Sequence, residues 1–320
     1  MEYSGYEYEW LAIFNPVSGG KKATKERTKI LSALDAHKIQ YRIVETNQPG
    51  DAIRFSKAAV EAGYRKIMGI GGDGTVNEIV NGIYSQHITK PTDVVLAFMP
   101  VGTGNDWVKT IGIPTDYTGA AKTIKTGNYF FQDVGIVQYQ TEEGTQKRYF
   151  VNIAGMGYDA FVTKAANDTK NRGKNQGKLA YLFQLMKCLN KYKHTHVKVT
   201  LDNEEIIEGK MFSLNVGICK YNGNGMMQVP FAVPDDGKLD ITLIGNLSKW
   251  QVIKNTSKLY DGSFISVPGI TTHVAETVKI ESNPPIMLET DGESLGTSPF
   301  EFSLIHRGLK LISTIKNQQI

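Results

Sequence analysis

The pattern of hydrophobic and polar positions divides the chain near residue 135. Before this point, short apolar runs alternate with stretches whose apolar positions recur at helical spacing. The predicted strands are WLAIF at 10–14, YRIVET at 41–46, RKIMGI at 65–70 and DVVLAFM at 93–99, and the predicted helices cover 22–37, 50–62 and 75–84, with further helical stretches up to Lys125. Strands separated by helices of this length form a parallel sheet, so an α/β domain is predicted at 1–135.

From about Val134 onward, short strand candidates follow one another with turn residues between them. They are VGIVQY at 134–139, RYFVNIAG at 148–155, HVKVTLD at 196–202, IIEGKMFSLNVGI at 206–218, KLDITLIG at 238–245, TVKIES at 277–282, IMLETDGE at 286–293 and FEFSLI at 300–305. Only one long helix, at about 177–193, is expected to interrupt them. This pattern is typical of an antiparallel sandwich or barrel and predicts a β-rich second domain at 136–304.

Composition agrees with two globular domains and excludes several other classes of protein. The chain has 320 residues, of which 41% are hydrophobic and 21% charged, which excludes disorder, collagen and coiled coil as the main architecture. No apolar run approaches the ~18 to 20 residues of a membrane span, and the acidic, aromatic start MEYSGYEYEW does not resemble a signal peptide. Cys188 and Cys219 cannot form a disulfide framework, so we expect two buried thiols and a reducing cytoplasm.

The net charge of +4 is small, but the positive charge is concentrated. Between Gly144 and Thr200 there are eleven Lys or Arg and two Asp, which gives this stretch +9 and leaves −5 for the remainder. It contains TKNRGKNQGK at 169–178, predicted to be a basic loop, followed by an apolar helix. Such a segment suits an anionic membrane surface, and a solvated loop before a core helix is the alternative. Nucleic acid is not expected, because no aromatic residues are interleaved for base stacking.

Three glycine-rich loops follow predicted strands of the first domain. They are NPVSGG at 15–20, GIGGDGTVNE at 69–78 and PVGTGND at 100–106. Because the carboxyl ends of parallel strands meet at one edge of a sheet, these loops should converge on one crevice. Glycines let backbone N–H groups approach an anion closely, and the helix N-termini behind the loops favour phosphate.

Neither of two familiar nucleotide signatures explains these loops. GIGGDG at 69–74 formally satisfies G-x-G-x-x-G, but Asp73 would repel a bare pyrophosphate inside the turn. An acidic residue there is better explained if Mg²⁺ neutralises the phosphates. The P-loop signature is absent, since Gly20–Lys21 has no glycine five positions earlier.

The series NPVSGG, GGDGTVNEIVNGI, PVGTGNDW and ETDGES resembles the diacylglycerol kinase catalytic domain, and in particular its bacterial branch. That superfamily includes sphingosine and ceramide kinases and shares its nucleotide fold with NAD kinases and 6-phosphofructokinases. The resemblance runs from Asn15 to Glu293. It implies an ATP- and Mg²⁺-dependent lipid kinase with an α/β nucleotide domain, a β-rich lipid domain and chemistry in the cleft between them. It also implies that residues 305–320 return to the first domain.

The resemblance places the ATP site on the three loops and a few neighbouring residues. These residues are Asn15, Pro16, Val17, Ser18, Gly19, Thr46, Gly71, Gly72, Asp73, Gly74, Thr75, Asn77, Glu78, Thr103, Asn105 and Asp106. Thr75 has an alternative role as a helix N-cap. Lys21 could pair with a phosphate, and Lys22 is the competing assignment.

The same resemblance nominates the acidic residues of the reaction. Asp73, Asp106 and Asp133 match residues that line the cleft, and the first two would serve Mg-ATP, whereas a structural salt bridge is the alternative for Asp133. Glu293 matches the glutamate that bacterial members use as proton acceptor, and Asp73 is the rival base. Asp159 resembles a position near the lipid headgroup in sphingosine kinases.

A structural Mg²⁺ is implied in VPDDGKLDI at 233–241. Its ligands would be the Asp236 carboxylate and the backbone carbonyls of Val233 and Lys238, and hard oxygen ligands are what Mg²⁺ favours. The same residues are equally consistent with a simple turn between strands.

The preferred function is phosphorylation of diacylglycerol to phosphatidic acid. A sphingoid base, ceramide or phosphatidylglycerol is an alternative acceptor; a soluble NAD kinase and a non-catalytic nucleotide- or lipid-binding protein are alternative functions. We expect a cytoplasmic protein held at the inner face of the membrane through residues 164–178 and the helix after them. The oligomeric state is open, with a homodimer as one option.

Overall fold

The computed structural model describes residues 10–102, 104–171 and 185–317, without the side chains of 169–171. The chain forms two compact units. The first comprises residues up to Val134 together with those from His306 onward, and the second comprises Gly135–Ile305. Within the described residues, no helix is both long and apolar enough to cross a bilayer.

The first unit is built on a parallel sheet. Its strands are β1 (Trp10–Phe14), β2 (Tyr41–Glu45), β3 (Lys66–Gly71) and β4 (Val95–Pro100). They lie in the order β2, β1, β3, β4, and the last strand of the chain adds Lys310 and Leu311 beside β4. All of these pairs are parallel. Strands β1 and β4 are buried throughout, as expected where apolar strands are covered on both faces, and the predicted α/β domain is confirmed.

Six helices accompany this sheet. They are α1 (Ser18–Lys25), α2 (Arg27–Ala36), α3 (Asp51–Glu61), α4 (Asp73–Ser85), α5 (Asp106–Ile111) and α6 (Tyr117–Thr126). The helix predicted at 22–37 is in fact two helices separated at Glu26. The range of α1 includes Ser18, but Gly19, Gly20 and Lys21 have left-handed backbone angles, so the regular right-handed helix begins at Lys22. Helices α3 and α4 pack closely because Gly82 has no side chain: a Cβ there would lie 1.9 Å from Ser56 Oγ.

The second unit is an antiparallel β structure, which confirms the predicted β-rich domain. Its strands are β5 (Asn128–Thr141), which begins in the first unit, β6 (Gly144–Phe150), β7 (Ile153–Gly157), β8 (Thr195–Leu201), β9 (Glu205–Met211), β10 (Ser213–Gly217), β11 (Leu239–Ile244), β12 (Ile270–Ala275), β13 (Val278–Asn283), β14 (Met287–Thr290) and β15 (Glu293–Ser313), which ends in the first unit. Strand β15 pairs with β5, β13 and β14. From β14 the order continues through β7, β10 and β11 to β12, while β13 leads to β8 and β9.

Two helices of the second unit were not predicted, so the expectation of a single long helix was wrong. They are α7 (Tyr158–Asn171) and α8 (Lys249–Asn255). In α7 the apolar residues Tyr158, Phe161, Val162 and Ala165 recur at helical spacing and pack against Phe212. Residues 169–171, expected in a basic loop, belong to α7. Residues 172–178 of the basic segment lie outside the described residues. So do residues 177–184 of the helix expected at 177–193, whereas residues 185–189 of that helix are helical.

Strand β14 carries an ionisable group in the interior of the second unit. The Glu289 side chain is fully buried, and its two carboxyl oxygens accept hydrogen bonds from Asn222 Nδ2 at 2.8 Å and from the Gly292 N–H at 2.9 Å. Burial raises the pKa of Glu289 to about 8, because the charged form loses its hydration. The neutral acid is therefore the stable form of this group near neutral pH.

The buried Glu289 carboxyl should make the fold less stable as the pH rises. The unfolded chain releases this proton near the ordinary pKa of 4.5, whereas the folded protein keeps it up to about 8. The free energy of unfolding should therefore fall by ~2 kcal/mol between about pH 6 and 8, as measured by urea denaturation. The variant Glu289→Gln should flatten this dependence, although it loses one acceptor and is less stable at pH 6.

The exposed Glu301 on β15 supplies the matched control, because Glu301→Gln removes a carboxylate without touching the interior. This control should keep the slope of the unmodified protein. An equal slope in the Glu289→Gln variant would contradict the assignment of the titration to Glu289.

Candidate functional site

In the first unit, the loops that follow β1, β3 and β4 come together. Asn15 Nδ2 donates to Thr75 Oγ1 at 3.0 Å, and the Val101 N–H donates to the Gly71 carbonyl at 2.7 Å. Gly19 lies so close to the third loop that a Cβ on it would be 3.0 Å from Gly102 Cα. The loops therefore form one surface in which backbone groups, and few side chains, are in contact.

The first loop has an unusual backbone. Gly19, Gly20 and Lys21 have successive φ angles of 60°, 66° and 71°, so a non-glycine residue adopts the left-handed conformation at Lys21. Strain of this kind is concentrated at ligand-binding positions, and turned backbone N–H groups form anion-binding concavities. Lys22 pairs with Glu26 at 3.7 Å, whereas the exposed Lys21 makes no ion pair in the described part of the chain. This difference favours Lys21 as the phosphate-binding lysine.

Asp73 links the second loop to the third. Its carboxylate accepts hydrogen bonds from the Asp106 N–H at 3.1 Å and the Trp107 N–H at 3.4 Å, at the start of α5. The Asp106 carboxylate in turn lies 2.6 Å from Lys109 Nζ. Two carboxylates thus lie beside the glycine loops, where helix N-termini favour negative charge.

Asn105 shapes the third loop. It adopts φ 45°, precedes α5, and donates from Nδ2 to the Gly102 carbonyl at 3.3 Å. Its Oδ1 atom is buried and makes no hydrogen bond within the described ranges. Thr103, also predicted at this site, lies outside the described residues.

The remaining predicted residues of the first unit divide into two groups. Pro16, Val17, Ser18, Gly72 and Gly74 lie in or directly after the loops. By contrast, Thr46, Asn77 and Glu78 form a layer behind them: Thr46 is buried, Asn77 Oδ1 accepts from Asn81, and Glu78 accepts from the Gly50 and Ala52 N–H groups at the start of α3.

Asp133 lies on β5 and is fully buried. Its carboxylate accepts hydrogen bonds from His306 Nδ1 at 2.9 Å and the Arg307 N–H at 2.6 Å. These contacts attach the returning end of the chain to β5. They are the contacts expected of the structural alternative for Asp133.

In the second unit, Glu293 follows a tight hairpin turn between β14 and β15. Asp291 and Gly292 have φ angles of 50° and 87°, and Thr290 pairs with Glu293, as in a two-residue type I′ turn. The Asp291 carboxylate accepts from the N–H groups of Val151 and Asn152 at 3.1 and 3.0 Å, which holds the turn. Asp291 is therefore a structural residue.

The Glu293 side chain remains accessible, with 35% of its surface exposed. Arg148 Nη2 donates to Glu293 Oε2 at 2.6 Å. This contact fixes one carboxyl oxygen of Glu293. Arg148 was not predicted at this site, because its ion-pair partner Glu293 is 145 residues away along the chain.

The second unit also contains a cavity with an apolar body. Aliphatic and aromatic side chains from α7, α8 and several strands surround it. They include Leu185, Leu189, Phe212, Met226, Ile244, Leu247, Val252, Leu259, Phe264 and Ile270. An elongated apolar ligand is the class of molecule that such a lining accepts.

Polar side chains also line this cavity; they are those of Asp159, Ser213, Asn215, Gln228, Gln251, Asn255 and Thr256. Asp159 Oδ2 accepts from Ser213 Oγ at 2.9 Å, and burial raises the pKa of Asp159 to about 6. Asn215 Oδ1 and Gln228 Oε1 are buried and make no hydrogen bond in the part of the chain that the structure describes. Buried acceptors without partners are costly, so these two oxygens suit a ligand that donates hydrogen bonds.

Glycine makes room for two acids beside the cavity. A Cβ on Gly155 would lie 2.6 Å from Glu289 Oε1 and 3.1 Å from Asp159 Cβ. Sequence analysis found Asp159 but missed Ser213, Asn215, Gln228 and Glu289. The available signal was a polar residue inside an apolar strand, as in SLNVG for Asn215 and MLET for Glu289.

The predicted metal site at Asp236, Val233 and Lys238 lies in a tight turn that ends at β11. Asp236 Oδ1 accepts from the Lys238 N–H at 3.0 Å, the arrangement expected of the simple-turn alternative. Burial raises the pKa of Asp240 to about 6, and the negative charge of the neighbouring Asp236 contributes a smaller part of this rise. The oxygen donors are of the type that Mg²⁺ prefers, but no group of three or more His, Cys, Asp or Glu placed for a metal occurs among the described residues.

Family models match most of the chain. The diacylglycerol kinase catalytic domain matches residues 9–137, and the YegS C-terminal NAD kinase beta sandwich-like domain matches residues 152–313. These two matches coincide with the glycine loops of the first unit and with the cavity and Glu293 of the second.

Individual proteins agree with the family models. The diacylglycerol kinase of Bacillus subtilis (strain 168) is 29% identical over 302 residues, which cover 94% of each chain. The diacylglycerol kinase of Mycobacterium tuberculosis (strain ATCC 25618 / H37Rv) is 26% identical over 302 residues, again 94% of each chain.

Solved structures extend the likeness to the fold. A candidate diacylglycerol kinase from Bacillus anthracis str. Sterne is 26% identical, with a TM-score of 0.75 over 96% of this chain and 98% of that chain. Yeast NADH kinase complexed with NADH has a TM-score of 0.53 at 10% identity, over 96% of this chain and 84% of that chain, and this likeness shows the fold alone. Because the two family models together match nearly the whole chain, the resemblance is confirmed: the chain belongs to the diacylglycerol kinase family of lipid kinases.

Proposed function

We propose that this protein transfers the γ-phosphate of ATP to the hydroxyl group of a membrane lipid, with diacylglycerol as the preferred acceptor and phosphatidic acid as the product. The observation that carries the proposal is the cavity of the second unit. Its lining is mostly apolar, and it also contains Asn215 and Gln228 oxygens without partners in the described chain. A molecule with hydroxyl donors at one end of a long apolar body satisfies both requirements.

The first unit would bind the nucleotide. Backbone groups of the glycine loops and Lys21 would contact the phosphates, while Asp73 and Asp106 would hold Mg²⁺ through their carboxylate oxygens. Mg²⁺ would neutralise charge on the β- and γ-phosphates. Asp73 already accepts hydrogen bonds from two backbone N–H groups, so holding Mg²⁺ suits it better than acting as the general base.

Glu293 would accept the proton of the lipid hydroxyl. The hydroxyl oxygen forms a bond to the γ-phosphorus, the bond from that phosphorus to the bridging oxygen of ADP breaks, and the hydroxyl proton passes to the Glu293 carboxylate. Arg148 holds one oxygen of Glu293 at 2.6 Å and would orient the other. Asp159 would hydrogen-bond a polar group of the lipid in the cavity.

Other acceptors and functions make different demands on the cavity. A sphingoid base would place an ammonium group near Asp159, whereas diacylglycerol, ceramide and phosphatidylglycerol would present only neutral donors there. NAD has no long apolar body, so a soluble NAD kinase leaves the apolar lining unexplained. A non-catalytic lipid-binding protein leaves Glu293 without a role.

Loss of the Glu293 carboxylate should abolish phosphorylation while leaving nucleotide binding intact. With labelled ATP and diacylglycerol in mixed micelles, the unmodified protein should form labelled phosphatidic acid, and Glu293→Gln should lower kcat by roughly 100-fold or more. A panel with a sphingoid base, ceramide, phosphatidylglycerol and NAD identifies the acceptor. The matched control is Glu301→Gln on the same strand, which removes an exposed carboxylate paired with Lys279.

Two results would count against this assignment. Full activity of Glu293→Gln together with loss of activity in Asp73→Asn would transfer the role of base to Asp73. Phosphorylation of NAD but of no lipid would overturn the proposed function.

Lys21 and Lys22 provide an internal comparison for the nucleotide site. Lys21→Gln should weaken ATP binding by about tenfold, because a charge-assisted contact to phosphate is lost, and isothermal titration calorimetry with a non-hydrolysable ATP analogue measures it. Lys22→Gln removes the same charge from a residue that already pairs with Glu26, and should change the affinity by less than about twofold. The reverse order of effects would assign the phosphate contact to Lys22.

Replacing Gln228, whose buried oxygen has no hydrogen-bond partner in the described residues, should weaken lipid binding without lowering the stability of the fold. Gln228→Met preserves the approximate volume, so the fold should be as stable as before or more so, because a buried oxygen without a partner is removed. The KM for diacylglycerol should rise by about tenfold, with the KM for ATP unchanged. Met226→Leu, in the same cavity, is the control and should leave both constants nearly unchanged. An unchanged lipid KM in Gln228→Met would exclude Gln228 from the lipid site.

A further inference from the structure

Helix α8 presents large apolar side chains to solvent. Trp250 is 79% exposed and Ile253 is 38% exposed, although both residues lie on a helix of only two turns. On the same helix, Gln251 and Val252 line the apolar cavity of the second unit. The helix therefore lies between the cavity and an unusually apolar piece of surface.

A basic cavity adjoins this helix. It is lined by Lys191, Lys193, Lys210 and Lys249, and none of the described residues that line it is acidic. Lys249 Nζ donates to the Asn190 carbonyl at 3.1 Å, which holds the first residue of α8 in this cavity. Lys191, Lys193 and Lys210 make no ion pair within the described ranges, and nearby Glu208 pairs with His196 instead. The positive charge of this cavity is thus not neutralised by the described residues.

The exposed tryptophan and the lysines beside it indicate which kind of partner this surface binds. Tryptophan is favoured at the boundary between headgroups and acyl chains, and lysines near it interact with anionic headgroups. Binding of single-stranded nucleic acid would require several aromatic faces open to the bases along a basic groove. Tyr192 and His194 also line the basic cavity, but their rings pack against Phe212. The charge of the surface is complementary to that of an anionic bilayer.

We propose that α8 and the adjoining lysine cavity form the surface by which the second unit docks on a bilayer containing anionic phospholipid. Trp250 and Ile253 enter the headgroup boundary, and Lys191, Lys193 and Lys210 contact lipid phosphates. Docking here brings the bilayer within one helix of the apolar cavity that would accept the lipid substrate. This surface excludes the segment 164–178, although Lys191 and Lys193 lie at the end of the stretch 177–193 that was expected to form the helix after it. The inference deepens the proposed function, on which its link to catalysis rests.

Vesicle binding tests the docking surface directly. Sedimentation with phosphatidylcholine vesicles, alone and with about 30% phosphatidylglycerol, should show binding of the unmodified full-length protein only to the anionic vesicles. The triple variant K191Q/K193Q/K210Q should bind roughly 100-fold more weakly, and Trp250→Ala about tenfold more weakly.

Matched controls separate the surface from general charge and hydrophobicity. The triple variant K57Q/K122Q/K125Q removes the same charge from the first unit, and Phe231→Ala removes an aromatic side chain that is 58% exposed elsewhere on the second unit. Both controls should bind anionic vesicles nearly as the unmodified protein does. Equal losses in controls and test variants, or no binding by the unmodified protein, would overturn the proposal.

A monomeric substrate distinguishes this inference from the proposed function. With dihexanoylglycerol in the absence of vesicles, the test variants should phosphorylate the lipid at the unmodified rate, while their activity on diacylglycerol in anionic vesicles falls with their binding. Normal kinase activity on vesicles by the test variants would overturn docking and leave the proposed function standing. Conversely, binding that depends on this surface in a protein that phosphorylates no lipid would support docking and overturn the proposed function.

Discussion

The candidate chemistry of the second unit depends on a two-residue turn that is held from both sides by carboxyl groups. Asp291 adopts a left-handed conformation, and its carboxylate fixes the backbone of Val151 and Asn152, while Glu289 accepts the N–H of Gly292. These bonds hold the turn that carries Glu293, and the ion pair with Arg148 fixes its side chain. A proton acceptor must lie within a few tenths of an ångström of its working position, and a hairpin held in this way satisfies that requirement better than a free loop.

In the first unit, carboxylates also hold backbone N–H groups in place. The Asp73 carboxylate accepts the N–H groups at the start of α5, and Glu78 does the same for α3. Helix N-termini have unsatisfied N–H groups and attract negative charge, so acidic residues beside them organise the loops. An aspartate or glutamate inside a family motif is therefore not catalytic by default. In this protein, Glu293 differs from Asp73 and Glu78 because its carboxylate is partly exposed and pairs with the side chain of Arg148.

The sequence predicted those features that depend on neighbouring residues. Apolar runs such as WLAIF and the glycine loops carry their signal within a few positions, and the α/β and β-rich domains were predicted correctly. The cavity could not be predicted, because its lining comes from α7, α8 and separate strands that are distant along the chain. Helix α7 carried a detectable helical repeat from Tyr158 to Ala165, but the surrounding strand pattern obscured it. Lys21 and Lys22 could be told apart only from the partner that Glu26 provides.

The presence of a carboxyl group at Glu289, where an amide would avoid the cost of burial, has a physical explanation. Its two oxygens face two donors, Asn222 Nδ2 and the Gly292 N–H, and Asn222 Oδ1 already accepts from Gly223. A glutamine offers one acceptor and would direct its NH₂ group at the other donor, whereas a protonated acid can accept at both oxygens. The acid is tolerated because it stays neutral, and the raised pKa is the consequence. The turn that carries Glu293 is therefore best held by a neutral acid at Glu289, and the free energy of unfolding falls as the pH rises.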